Sequence, residues 1–124
     1  MEYSEITEKI IGCSYSVYNK MGAGFLESVY EKCLAIEFAK IALPAQFQQP
    51  LNVFYDGHPV GSYIADIIVN EKIIIELKAV RNLTPLHEVQ LVNYLAATKL
   101  PIGLLINFGE TKVEIKRKIL TLTL

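Results

Sequence analysis

A chain of 124 residues has room for one domain with a real core and not for two of ordinary size, so 1–124 reads as a single domain. With 52% hydrophobic and 20% charged residues it is too apolar to be disordered. A formal charge of −1 excludes the global basic field by which many proteins attract phosphate backbones. Any nucleic-acid contact must then be local, and "KVEIKRK" is the one candidate patch, with Lys112, Lys116, Arg117 and Lys118; the alternative for it is a solvated edge strand.

From Ser4, a predicted N-cap, the residues Ile6, Ile10, Cys13, Val17 and Met21 recur at helical steps, and "MGAG" ends the element. A second helix is predicted after Gly24, with Leu26, Val29, Tyr30, Cys33, Leu34 and Phe38 on its apolar side, fading before Pro44. Cys13 and Cys33 fall at core-facing positions without a CxxC pair or a neighbouring His, so buried free thiols are expected. The acidic start of the chain lacks the basic region of a signal peptide, and no apolar run approaches the ~18 residues of a membrane span. The expectation is a cytoplasmic protein with no membrane role.

The middle of the chain is rich in β-branched and aromatic residues and broken at Asp56-Gly57 and at Asn70-Glu71-Lys72, the pattern of a three-stranded antiparallel meander. A third helix follows, with Thr84 as N-cap, Pro85 at its first position and Leu91 and Leu95 on its apolar stripe. "PIGLLINF" reads as a strand covered on both faces, and "KVEIKRKI" as an outer strand after Gly109. The order α, α, β, β, β, α, β, β predicts an α/β sandwich with a mixed central sheet, because the helix after the third strand permits a parallel return.

Three charges interrupt the most apolar stretch, "IADIIVNEKIIIELKAV". Alternation along a strand puts Glu76 and Lys78 on one face. If Asn70, Glu71 and Lys72 form a three-residue loop, Val69 pairs with Ile73 and Asp66 falls opposite Glu76, on the same face. Two facing carboxylates repel unless a cation bridges them, and oxygen ligands suit Mg²⁺ or Mn²⁺ rather than zinc. Such an ion, with Lys78 to orient water or to meet developing negative charge, is equipment for phosphodiester hydrolysis. The plainer alternative is that Lys78 only neutralises Glu76.

The helices offer further candidates. Glu27 and Tyr30 lie on one side of the second helix; Glu27 could add a carboxylate to the metal or merely suit the helix N-terminus. On the third helix His87, Gln90 and Tyr94 form a polar stripe, with Gln90 or His87 able to orient water or contact a phosphate. His58 is a weaker candidate.

The pattern Asp66, then Glu76-Leu77-Lys78, resembles the PD-(D/E)XK nuclease superfamily, with Ala65 at the position of the proline. The longer string "GAGFLESVYEKCL", "YIADIIVNEKIIIELKAV", "HEVQLVNYLAATK" and "GLLINFG" is similar to the small GxxExxY family, whose naming motif falls on Gly24, Glu27 and Tyr30. The resemblance implies a restriction-endonuclease-like α-β-β-β-α-β core with an extra N-terminal helix. It implies a catalytic set of Asp66, Glu76, Lys78, Glu27 and Gln90, and a Mg²⁺ or Mn²⁺ site of Asp66, Glu76, Glu27 and the Leu77 carbonyl. Gln90 and Tyr94 match the Gln-x-x-x-Tyr pattern of RecB-like nucleases, and His87, Tyr94 and Tyr30 are candidates for substrate binding. The expected activity is metal-dependent hydrolysis of DNA or RNA. The alternative is a non-catalytic binding or assembly module on the same fold, favoured by the near-neutral charge. A homodimer is a further expectation, through apolar surplus at Phe47, Leu51, Phe54 or "ILTLTL".

Overall fold

A computed structural model describes residues 3–121. Helix α1 spans Ser4–Met21 and buries Ile10, Cys13 and Val17 along one stripe. Tyr3, not Ser4, occupies its N-cap position; Ser4 is already helical, and its carbonyl accepts the Thr7 hydroxyl. The helix stops because Gly22 and Gly24 take φ of 71° and 100°, a region where a side chain is strained. Helix α2, Glu27–Lys40, buries Tyr30, Leu34 and Phe38, four residues apart. Leu26 lies before it as N-cap and is exposed, while Cys33 is half-buried and not in the core.

Strands β1 (Ala45–Tyr55), β2 (His58–Val69) and β3 (Ile73–Lys78) form the expected meander. Helix α3, Pro85–Thr98, carries the chain across to β4 (Ile102–Phe108), which lies parallel to β3, and β5 (Val113–Ile119) returns antiparallel at the edge. The sheet order is β1-β2-β3-β4-β5. Thr84 and His87 close a capping box at the start of α3, with Pro85 just inside it.

Helices α1 and α2 cover one face, where Ile73, Ile75, Leu77, Leu104 and Ile106 join Ile10, Leu34 and Phe38. Helix α3 covers the other, with Leu91 and Leu95 on Ile74 and Leu105. Strand β4, buried along its whole length, is the layer both halves share, which is why its sequence is a continuous apolar run. No described helix is long and apolar enough to cross a membrane. Of the surplus expected to pair two copies, Phe47 and Leu51 are half-buried within the chain and Phe54 is exposed; the last three residues of "ILTLTL" lie outside the described ones.

Candidate active site

The Asn70-Glu71-Lys72 loop sets the register as expected: Val69 pairs with Ile73, Ile68 with Ile74 and Ile67 with Ile75. The ladder then ends. The next pair would be Asp66 with Glu76, and there Asp66 turns its carboxylate into the opening so that Oδ2 accepts the Leu77 N–H at 2.8 Å. In an extended residue N–H and C=O point the same way, so the Leu77 carbonyl also faces this opening.

The opening coincides with a change of face in the β1–β2 hairpin. Ala65 packs with the α3-side core whereas Ile67 packs with the α1–α2 side, although a regular strand would keep them together. Phe47 and Leu51 divide in the same way across β1. The turn-over sits at Asp66 and at Gln48, its facing residue in β1, whose φ of 52° is unusual for a residue with a side chain.

Glu76 lies half-buried under α3, and its Oε1 is enclosed without a hydrogen-bond partner among the described residues. Its pKa is pushed up to about 8, first by burial, then by the charge of Asp66 and a hydrogen bond shared with it, with Lys78 opposing. Glu76 and Lys78 line a small cavity of about 40 Å³ together with His87, Gln90, Leu91, Tyr94 and Leu105. The polar stripe of α3 therefore faces the Glu-x-Lys pair.

Two adjacent carboxyls, an unpartnered carboxylate oxygen and a carbonyl directed at the same opening fit a hard divalent cation. Among the described residues no three His, Cys, Asp or Glu side chains gather closely enough to hold a metal. The donor set is thus two carboxylates, the number Mg²⁺ commonly takes while keeping several waters.

Glu27, the first residue of α2, reaches the backbone beside the Glu-x-Lys segment. Its Oε1 accepts the Ala79 N–H at 3.3 Å, just past the end of β3, and it does not line the cavity under α3. An α2 carboxylate that feels the charge of Asp66 is Glu31: Gln48 Nε2 donates to it at 2.6 Å, burial pushes its pKa up against that bond, and the charge of Asp66 adds to the rise. Tyr30 requires a correction as a substrate-binding residue. It is fully buried, its hydroxyl donates to the Gly22 carbonyl at 2.6 Å and accepts the Phe25 N–H at 3.4 Å, and its ring lies parallel to Phe108 at 4.2 Å. Glu27 thus ties the start of α2 to the end of β3, and Tyr30 ties the α1–α2 turn to Phe108 on β4. His87 lines the cavity but also caps α3, its Nδ1 accepting the Thr84 N–H at 3.2 Å.

Sequence reasoning missed two more residues. Asn107 pairs beside Lys78 on β4 and is fully buried; its amide binds both the N–H and the carbonyl of Val80 and donates to Glu114, each at 2.9 Å. A lone amide inside "GLLINFG" was the available signal. Tyr63 stacks on Tyr94 with ring centroids 3.8 Å apart, and no pattern pointed to it, because three residues before Asp66 is the opposite face of a regular strand.

A family model described as the PD-(D/E)XK nuclease superfamily matches residues 4–118, nearly the whole chain. The chain belongs to this superfamily. Nucleases of the superfamily typically use divalent metals, in keeping with the donor set. No curated protein matches the chain. Among solved structures, the crystal structure of SSO0001 superposes with a TM-score of 0.57 at 20% identity, covering 98% of this chain and 60% of that one. The chain thus spans about 60% of that protein's length, and the likeness is one of fold.

Proposed function

We propose that the protein is a Mg²⁺- or Mn²⁺-dependent nuclease that hydrolyses phosphodiester bonds in DNA or RNA. The observation that carries this reading is the meeting of Asp66 and Glu76 at the end of the β2–β3 ladder, with Glu76 Oε1 unpartnered and Lys78 on the same cavity. Asp66, Glu76 and the Leu77 carbonyl would hold the cation. When bound, it neutralises phosphate charge and makes water more acidic.

Lys78 is the cation of the protein itself at this point, set to orient the attacking water or to meet charge that develops on the phosphate. Gln90 can bind a phosphate oxygen or that water from α3, and Tyr94 and His87 border the same approach. Glu27 holds the backbone one residue past Lys78 and so fixes the direction in which the Glu-x-Lys segment leaves the sheet. A larger cavity of about 360 Å³ beyond the ends of β3 and β4, between Gly24, Ala79 and Gly109, gives a strand room to pass.

Within the superfamily the spacing of Gly24, Glu27 and Tyr30 favours the GxxExxY family. The free thiols of Cys13 and Cys33 favour a reducing, cytoplasmic setting. Of the apolar surplus, exposed Phe54 at the hairpin tip is the residue we assign to a homodimer contact.

The test is incubation with Mg²⁺ or Mn²⁺ and single-stranded, duplex or branched DNA and RNA, with Asp66→Ala as control. Melting of wild type and Asp66→Asn is followed in EDTA and in Mg²⁺. Metal-dependent cleavage lost in Asp66→Ala is expected, with a wild-type stabilisation of about 2.7 kcal/mol at a hundred times Kd that Asp66→Asn lacks. Metal binding without cleavage of any substrate would favour the binding-module alternative, and equal metal shifts in both proteins would sink the site.

A further inference from the structure

Tyr63 lies outside the Asp66 and Glu76-Leu77-Lys78 pattern, yet its ring stacks on a residue that lines the cavity. The turn-over of the hairpin brings it to the α3 face, where its ring lies within 10° of parallel to Tyr94. Tyr94 in turn borders the cavity of Glu76 and Lys78. The stack leaves the ring little freedom, and the hydroxyl ends in the interior without a partner among the described residues.

Glu76 Oε1 is enclosed in the same way. A buried phenol hydroxyl and a buried carboxylate oxygen are each costly to leave unpaired, so the two together form an incomplete donor and acceptor set. The charges of Glu76 and Asp66 both act on the phenol. Lys78 could also meet Glu76, but as a cation it would compete with a divalent ion, whereas a neutral hydroxyl donates without opposing that charge. Carboxylates that bind metals are commonly held by such an outer hydrogen bond.

We infer that Tyr63 is a positioning residue of the metal site, whose hydroxyl donates to one lone pair of Glu76 Oε1, directly or through one water, and holds that carboxylate toward Asp66 with the oxygen's other lone pair left for the cation. The inference rests on the metal-dependent reading of this site. Tyr63→Phe keeps the ring and its stack and removes only the hydroxyl.

The experiment titrates Mn²⁺ into wild type and Tyr63→Phe, following melting temperature and, in parallel, cleavage rate. The variant should melt at or above the wild-type temperature in EDTA, because an unpaired buried hydroxyl has been removed. Its Mn²⁺ midpoint should rise by about 10- to 100-fold, and excess Mn²⁺ should bring its rate back toward wild type, which damage to the fold would not allow. An unchanged midpoint overturns the role of Tyr63 and leaves the metal site standing. A wild type that gains no stability from Mn²⁺ overturns both.

Discussion

Asp66 and Glu76 meet one step beyond the last β2–β3 pair, and the Asp66 carboxylate replaces the backbone acceptor that the missing pair would have supplied to Leu77. One side chain thus ends the sheet pairing and brings a second carboxyl against Glu76. Lys78, one position further along the same face, only partly offsets the rise in the pKa of Glu76 that burial and then the Asp66 charge produce.

That rise makes stability depend on pH in a definite direction. The unfolded chain releases the Glu76 proton near 4.5, whereas the folded protein keeps it to about 8. Between these values the folded state binds more protons, so its stability is whole below the lower value and is lost as pH rises through the upper one. In EDTA the unfolding free energy from urea denaturation should fall across this window, by an upper limit on the order of a few kcal/mol. Glu76→Gln should flatten the profile. Excess Mg²⁺ should oppose the decline, since the cation binds the deprotonated form. A flat wild-type profile in EDTA would show that the pair is not coupled as described.

Asn107 is the residue on which the segment after β3 hangs. Asn107→Ala would leave the N–H and carbonyl of Val80 without their partner and free Glu114 beside them, which should destabilise by on the order of 3 kcal/mol. Asn107→Asp keeps the acceptor for the Val80 N–H but sets a second negative charge against Glu114, and should be no better tolerated. Chemical denaturation checks both, and a loss under about 0.5 kcal/mol for either would place Asn107 among ordinary surface positions.

Gly103 lies where α3 comes closest to β4: a Cβ there would stand 2.7 Å from Leu91 Cδ1, and Leu91 is itself buried. Gly103→Ala should destabilise by about 1–3 kcal/mol through overpacking. It should also push away the helix that carries Gln90 and Tyr94. Trimming the neighbour in Gly103→Ala/Leu91→Val should recover part of the melting temperature, and a double variant no better than the single one would rule out this contact as the cause.

For Tyr30 the structure separates a framework role from a substrate role. Tyr30→Phe retains the stack on Phe108 and loses the hydroxyl bond to Gly22, so about 1 kcal/mol of stability should go, with faster amide exchange around the α1–α2 turn. A change in KM with stability untouched would instead favour contact with substrate.

What the sequence by itself determined was whatever depends on local repeats. Helical steps marked α1, α2 and α3, alternation marked the strands, and the three-residue loop at Asn70-Glu71-Lys72 set Val69 against Ile73 and so brought Asp66 to Glu76. The stripe of His87, Gln90 and Tyr94 met the Glu-x-Lys face because one helix following β3 has only one sheet face to cover before it returns parallel as β4. Tertiary structure alone decided the rest. Periodicity assumes an unbroken pleat, and the hairpin turns over at Gln48 and Asp66, which carries Tyr63 to the site against its alternation. Spacing also cannot say which end of a side chain finds a partner first: the Tyr30 hydroxyl is taken by Gly22, Glu27 by Ala79, and Glu31 is drawn by Gln48 toward Asp66. These choices rest on hydrogen bonds between different elements or across a turn, which form only when the layers have packed.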